Sequence, residues 1–213
     1  MKKFSLLAGA AATLSLGAPA HTATPDQVGR LYELGRCIVK VDREAAAELL
    51  QSLPVAPAET EIAASQLGDA RDCLKEGRLS ARSTLVRGAL AQGLLLKDFP
   101  RFGVEPKISE HRFVKVDLPI NGPAPGVDER TATLYKLADC VVRNQAIRTE
   151  TLFRSAPGSG PESRLFDALA PYIAACAGDA ELRVSRPEFR GMLAQAAYSV
   201  STRYWTGELW SAK

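Results

Sequence analysis

The chain has two histidines in 213 residues, His21 and His111, and only 7% aromatic residues. His21 falls beside an expected leader cleavage point, so a catalytic triad or a histidine-built metal centre would rest on His111 alone. No GxSxG elbow, SxxK pair, HExxH helix or GxxxxGK[ST] loop occurs, and Gly158-Ser159-Gly160, which superficially resembles a nucleophile turn, reads more simply as a helix cap. The sequence therefore points to no catalytic, cofactor-binding or metal-ligating residue. Basic residues form no run. The 27 Lys and Arg against 24 Asp and Glu include Lys2 and Lys3 of the leader, so the remainder is close to neutral and no nucleic-acid partner is expected. No segment beyond the leader approaches transmembrane length, and no stable membrane span is expected once the leader is removed.

What is present begins with that leader. Lys2 and Lys3 precede an apolar run from Phe4 to Leu16, followed by Ala18-Pro19-Ala20 in the small-x-small form that a signal peptidase reads. A cleaved signal over residues 1–20 implies export, to the periplasm first and to the medium as the second possibility. The first cysteine is Cys37, so the boundary offers no lipoprotein acylation site.

The rest of the chain is written twice. Stretches of about 68 residues starting at Leu31 and Leu134 superpose without a gap at a constant offset of 103 positions. Leu31-Tyr32-Glu33-Leu34 answers to Leu134-Tyr135-Lys136-Leu137, Cys37 to Cys140, Cys73 to Cys176, and Arg87-Gly88-Ala89-Leu90-Ala91-Gln92 to Arg190-Gly191-Met192-Leu193-Ala194-Gln195. Abundant alanine and scarce aromatics favour helices packed on small residues. The expected fold is all-α: two tandem pseudo-repeats of three to four helices, module 1 over residues 21–99 and module 2 over 128–213, joined by a Pro-rich linker at 100–127.

Within each module the helices can be placed. Thr24-Pro25-Asp26-Gln27 opens the first with a capping box, and a second runs from about Asp42 to Ser52, ending before Pro54. A third helix is predicted from Ile62, Gln66, Ala70 and Cys73 and from Leu165, Leu169, Ile173 and Cys176, with Gly77 and Gly178 placed to end it. The fourth carries Val86, Leu90 and Leu94, matched by Phe189, Leu193 and Ala197. Residues 111–117 alternate enough for a short extended piece, in a linker expected to drape over the surface. A tail from Thr202 to Lys213 holds Tyr204, Trp205 and Trp210, which either pack back on the bundle or meet a membrane or partner.

An exported chain with four cysteines at repeated spacing is expected to hold disulfides. The duplication selects Cys37 with Cys73 and Cys140 with Cys176, because each repeat had to be self-sufficient before it was copied. Closing a loop of this length stabilises by about 4 kcal/mol in the chain-entropy model. Among polar residues, the acid pairs Asp42/Glu44, Asp69/Asp72 and Asp179/Glu181 read as solvated surface. Arg87, Gly88, Gln92, Arg190, Gly191 and Gln195 are the candidates for a binding or packing role. Glycine inside a helix costs about 1 kcal/mol relative to alanine, so Gly88 and Gly191 at matching places imply a close helix approach. Arg87 and Arg190 would then hold an acidic group across the interface or an anionic ligand.

On Cys37-Ile38-Val39, Cys73-Leu74 and Arg87-Gly88-Ala89-Leu90-Ala91, and on Cys140-Val141-Val142, Cys176 and Arg190-Gly191-Met192-Leu193-Ala194, the chain resembles uncharacterised exported proteins of Gram-negative bacteria with duplicated blocks of this form. The likeness covers residues 31–99 and 134–204 and implies export and a disulfide-stapled helical build, with no activity to carry over. An acid commonly follows the last alanine in that group, where this chain has Gln92 and Gln195. The function expected is a non-enzymatic envelope protein that binds another envelope protein or a small ligand through a groove between the modules. The alternative is an envelope-directed hydrolase with carboxylates assembled across the module interface, and a third possibility is a membrane-surface protein using Trp205 and Trp210.

Overall fold

The computed structural model describes residues 24–74, 77–102, 106–109, 112–120, 126–178, 180 and 183–208. The expected signal peptide over residues 1–20, His21, His111, Asp179, Glu181 and Trp210 lie outside the described residues. Seven α-helices run through them: α1 (Pro25–Val41), α2 (Arg43–Ser52), α3 (Ser83–Asp98), α4 (Glu129–Asn144), α5 (Ala146–Arg154), α6 (Gly160–Ala177) and α7 (Arg186–Trp205). Local chemistry sets their ends. The Gln27 amide donates to Thr24 Oγ1 while the Thr24 amide donates to Gln27 Oε1, closing a capping box at α1. Asp42 caps α2, Ser159 caps α6 and Ser185 caps α7. Leu53, the residue before Pro54, turns to an extended backbone and stops α2.

One predicted helix does not form. The stretch holding Ile62, Gln66, Ala70 and Cys73 is instead a strand, β1 (Glu59–Ala63), and two 3-10 turns, Ala64–Gln66 and Gly68–Cys73. The strand pairs antiparallel with β2 (Arg78–Arg82), Ile62 opposite Leu79. Thr60 and Ile62 are β-branched, and Gly68 takes a left-handed backbone at φ 51°, which an α-helix does not accommodate. Gly77 ends no helix. It sits in the turn before β2 at φ 72°, its carbonyl accepting from the Ala64 amide at 2.8 Å. Gly178 does close α6 as expected.

Two further expectations change. Thr202 to Trp205 belong to the last turn of α7 rather than to a tail, and Trp205 packs partly buried on the core. The segment after α3 is also more than a surface drape, since Val114 and Val116 are buried in the core at 4% and 7% exposure, with exposed Lys115 and Asp117 alternating between and beyond them. It lies extended but pairs with no strand among the described residues.

The centre of the molecule is the pair α3 and α7. Both are buried on nearly every side, α3 from Ser83 to Leu95 and α7 from Phe189 to Ser199, while α1 and α2 cover α3 and α4 covers α7. They cross at backbone contact. A Cβ added to Gly88 would stand 2.2 Å from the Gly191 Cα, and one added to Gly191 would stand 2.9 Å from the Thr84 carbonyl oxygen. The α1–α3 crossing is similarly close, since a Cβ on Gly35 would stand 2.7 Å from the Ala89 carbonyl. Disulfides Cys37–Cys73 and Cys140–Cys176 pin the periphery, each bridging residues 36 positions apart. The first ties α1 to the second 3-10 turn and the second ties α4 to α6. No described helix is long and apolar enough to cross a membrane. The two bridges fit a protein that matures in an oxidising compartment.

The crossing makes a paired prediction. Gly88→Ala places a methyl against backbone and should destabilise the fold by about 3 kcal/mol or more. Gly29→Ala, in α1 with nothing within 4 Å of the new Cβ, should stabilise it by up to about 1 kcal/mol. Urea unfolding of the two variants reads the difference, and equal stabilities would show that the helices do not meet at Gly88.

Candidate functional site

Arg87 and Gln92 lie on α3, Arg190 and Gln195 on α7, and the glycine crossing brings all four into the interior at 0 to 3% exposure. They bond reciprocally across the crossing. Arg87 Nε donates to Gln195 Oε1 at 2.8 Å, and Arg190 Nε donates to Gln92 Oε1 at 3.0 Å. Each guanidinium also reaches the last carbonyls of a short helix, where the helix dipole is negative. Arg87 Nη1 donates to the Leu50 and Leu53 carbonyls at the end of α2, at 2.6 and 2.7 Å. Arg190 Nη2 donates to the Phe153 and Ser155 carbonyls at the end of α5, at 3.3 and 3.0 Å. The amide of Gln92 donates to the Phe153 carbonyl at 2.9 Å and that of Gln195 to the Gly191 carbonyl at 3.3 Å.

The two arginines differ in their counter-ions. Arg190 Nη1 meets the carboxylate of Glu162 at 2.7 Å, an acid whose other oxygen accepts from the Gly158 amide. Arg87 has no carboxylate partner among the described residues, and burial lowers its pKa from the ordinary value. Two tyrosines complete the cluster. Tyr135 donates to Gln195 Oε1 at 3.1 Å, and the Arg190 guanidinium sits 5.0 Å from the centre of the Tyr32 ring. The six residues singled out in the sequence thus meet at one place, sealed from solvent. Their donors are spent on one another and on helix ends, so an anion from outside has no route to them.

A second buried cluster was not anticipated. Arg43 binds Asp98 bidentately, Nε to Oδ1 at 2.9 Å and Nη2 to Oδ2 at 2.8 Å, and the Tyr198 hydroxyl donates to Asp98 Oδ2 at 2.8 Å. Arg43 Nη2 also donates to the Arg112 carbonyl at 2.8 Å, and exposed Arg112 pairs with Glu44. The connecting segment is thereby tied to the start of α2. Among the described residues the buried acids are Asp98 and Glu162, and each is held by an arginine.

The open feature is elsewhere. A cavity of about 230 Å³ lies where the ends of α3, α4 and α7 meet the start of α5. Phe99, Phe102, Val142, Val200 and Trp205 give it mainly apolar walls, and Arg101, Arg143 and Ser201 add polar groups. No protein-family model, curated protein or solved structure matches the chain.

The buried tyrosines set an alkaline limit. Burial raises the pKa of Tyr32, Tyr135 and Tyr198 above the ordinary 10.0, with Asp98 raising Tyr198 further. A raised folded-state pKa gives stability that is complete below pH 10 and lost above it, as the unfolded chain ionises first. Each tyrosine contributes roughly 1.4 kcal/mol per pH unit to that loss. Stability read by urea unfolding should fall steeply above pH 10, and Tyr198→Phe should flatten the fall by about one third; an unchanged slope would show that Tyr198 ionises freely in the fold.

Proposed function

We propose that this chain is a non-enzymatic exported protein of the cell envelope, periplasmic, that binds a small ligand in the cavity between the ends of α3, α4 and α7. The cavity is the observation that carries this reading. It is a concave, mainly apolar space with a few polar groups, the usual form of a ligand site. Exposed apolar side chains stand close to it, Ile147 at 79% beside the lining residue Ala146 and Tyr204 at 42% in the lining itself. The hydrolase reading asks for two carboxylates facing one bond, whereas buried Asp98 and Glu162 are each neutralised by an arginine. The same sealing favours packing over binding for Arg87 and Arg190.

Two finer points belong to the proposal. The chain is read as two copies of one ancestral module, akin to the duplicated exported proteins of Gram-negative bacteria that its cysteine and Arg-Gly segments resemble. Supporting this, α1, α2 and α3 start at 25, 43 and 83, and α4, α5 and α7 start at 129, 146 and 186, close to the offset of 103 throughout. The reciprocal Arg–Gln bonds and the facing glycines fit an approximate two-fold relation. The Pro-rich stretch between the copies is then the join left by the duplication.

Purification from the native envelope under mild conditions, followed by native mass spectrometry, tests the reading. Wild-type protein should carry a small adduct that Ala146→Phe lacks, with far-ultraviolet circular dichroism unchanged. The same adduct on both proteins would place binding outside the cavity, and no adduct on either would remove the ligand from the proposal.

A further inference from the structure

Resting on the binding reading above, we infer that the cavity takes a small apolar carboxylate, its hydrocarbon body against the aromatic walls and its charge at the arginine rim. Different side chains occupy the matching place in the first half of the chain. At an offset of 103, Ala146, Val200 and Ser201 answer to Arg43, Lys97 and Asp98. In the first half these long polar side chains fill their own space, Arg43 with Asp98 in a bidentate pair and Lys97 Nζ donating to the Val39 carbonyl at 2.6 Å. In the second half three shorter side chains stand at those positions, and all three line the cavity. Together the three exchanges open an apolar cleft to solvent, and an apolar occupant would cover the surface they leave exposed.

The lining selects the chemistry. Phe99, Phe102 and Val142 carry no side-chain hydrogen-bonding group and, with the ring of Trp205, favour a hydrocarbon body. Arg101 is exposed and unpaired among the described residues, and Arg143 stands beside it in the lining with its Nε on Asp139 at 2.6 Å. Their charge favours an anion and disfavours an amine. Ser201 is only 5% exposed, and its Oγ has no hydrogen-bond partner. A carboxylate accepts from both a hydroxyl and a guanidinium, so it satisfies the orphaned group and the rim together. The space of about 230 Å³ is below that of ordinary drug-sized sites and suits one short chain or a single ring.

Calorimetric titration of the full, disulfide-bonded protein with hexanoate, phenylacetate and hexan-1-ol tests this. Both carboxylates should bind, and hexanol should bind roughly tenfold more weakly or worse because it lacks the charge-assisted bonds. Arg101→Gln, an exposed change that leaves the core untouched, should weaken hexanoate roughly fivefold and leave hexanol alone. Ala146→Phe should abolish binding of all three. Flotation with phosphatidylcholine vesicles carrying oleate separates the sources, since capture there without hexanoate binding would assign the same carboxylate chemistry to a membrane-held fatty acid. Hexanol binding as tightly as hexanoate would overturn the carboxylate inference while leaving cavity binding intact. Wild-type protein that binds neither the carboxylates nor the oleate vesicles would overturn it as well, whatever adduct the native envelope supplies.

Discussion

The contact that governs this structure is the meeting of two helix backbones at Gly88 and Gly191. Where no side chain stands between them, α3 and α7 approach so closely that both become interior helices, buried nearly all round. The helices α1, α2, α4 and α5 then cover that pair, and α6 packs outside α4 and α5. The approach also dictates what happens to charge. An arginine one residue before each glycine cannot reach water and must find its hydrogen bonds inside, which it does on a glutamine of the opposite helix and on the terminal carbonyls of a short helix. Packing comes first here, and the polar lattice is its consequence.

That lattice is unevenly neutralised. Arg190 has Glu162, whereas Arg87 relies on the ends of α2 and on Gln195. Helix-terminal carbonyls carry only partial charge, and burial lowers the pKa of Arg87. Among the described residues the difference arises where α6 stands at sequence positions matching a hairpin and 3-10 turns. Glu162 stands in the first turn of α6, while the residue at the same offset, Glu59, begins β1 and is exposed. The hairpin and 3-10 turns thus supply no buried counter-ion at the position where α6 supplies one.

Much of this was legible in the sequence for definite reasons. The capping box at α1, the stop before Pro54 and the disulfide pairs depend on short-range chemistry or on the repeated spacing of the sequence, and both are visible without coordinates. The glycines at matching positions announced a close crossing because a helical glycine needs a reason. The helix predicted over Ile62 to Cys73 failed because its copy in the second half suggested a period that Thr60, Ile62 and Gly68 do not support. Gly68 answers to Pro171, which sits inside α6, so the copies differ at a position where both residues weaken a helix and only one breaks it. The Arg43–Asp98 cluster was missed because its members lie 55 positions apart and neither repeats. Comparing the copies for what they lack, rather than for what they share, would have exposed it, since Ala146 and Ser201 stand where the ion pair should recur.

The cluster has a further meaning for how the molecule holds together. Its carboxylate comes from α3, its guanidinium from α2, its phenol from α7 and its last acceptor from the connecting segment at Arg112. Arg43 and Asp98 pair within residues 43–98, whereas the Tyr198 hydroxyl and the Arg112 carbonyl meet that pair only once α7 and the connecting segment are in place. Burying that ion pair therefore favours the assembled fold over a partly docked one, and α2, α3, α7 and the connecting segment are coupled through one pair of charges that their joint packing shelters.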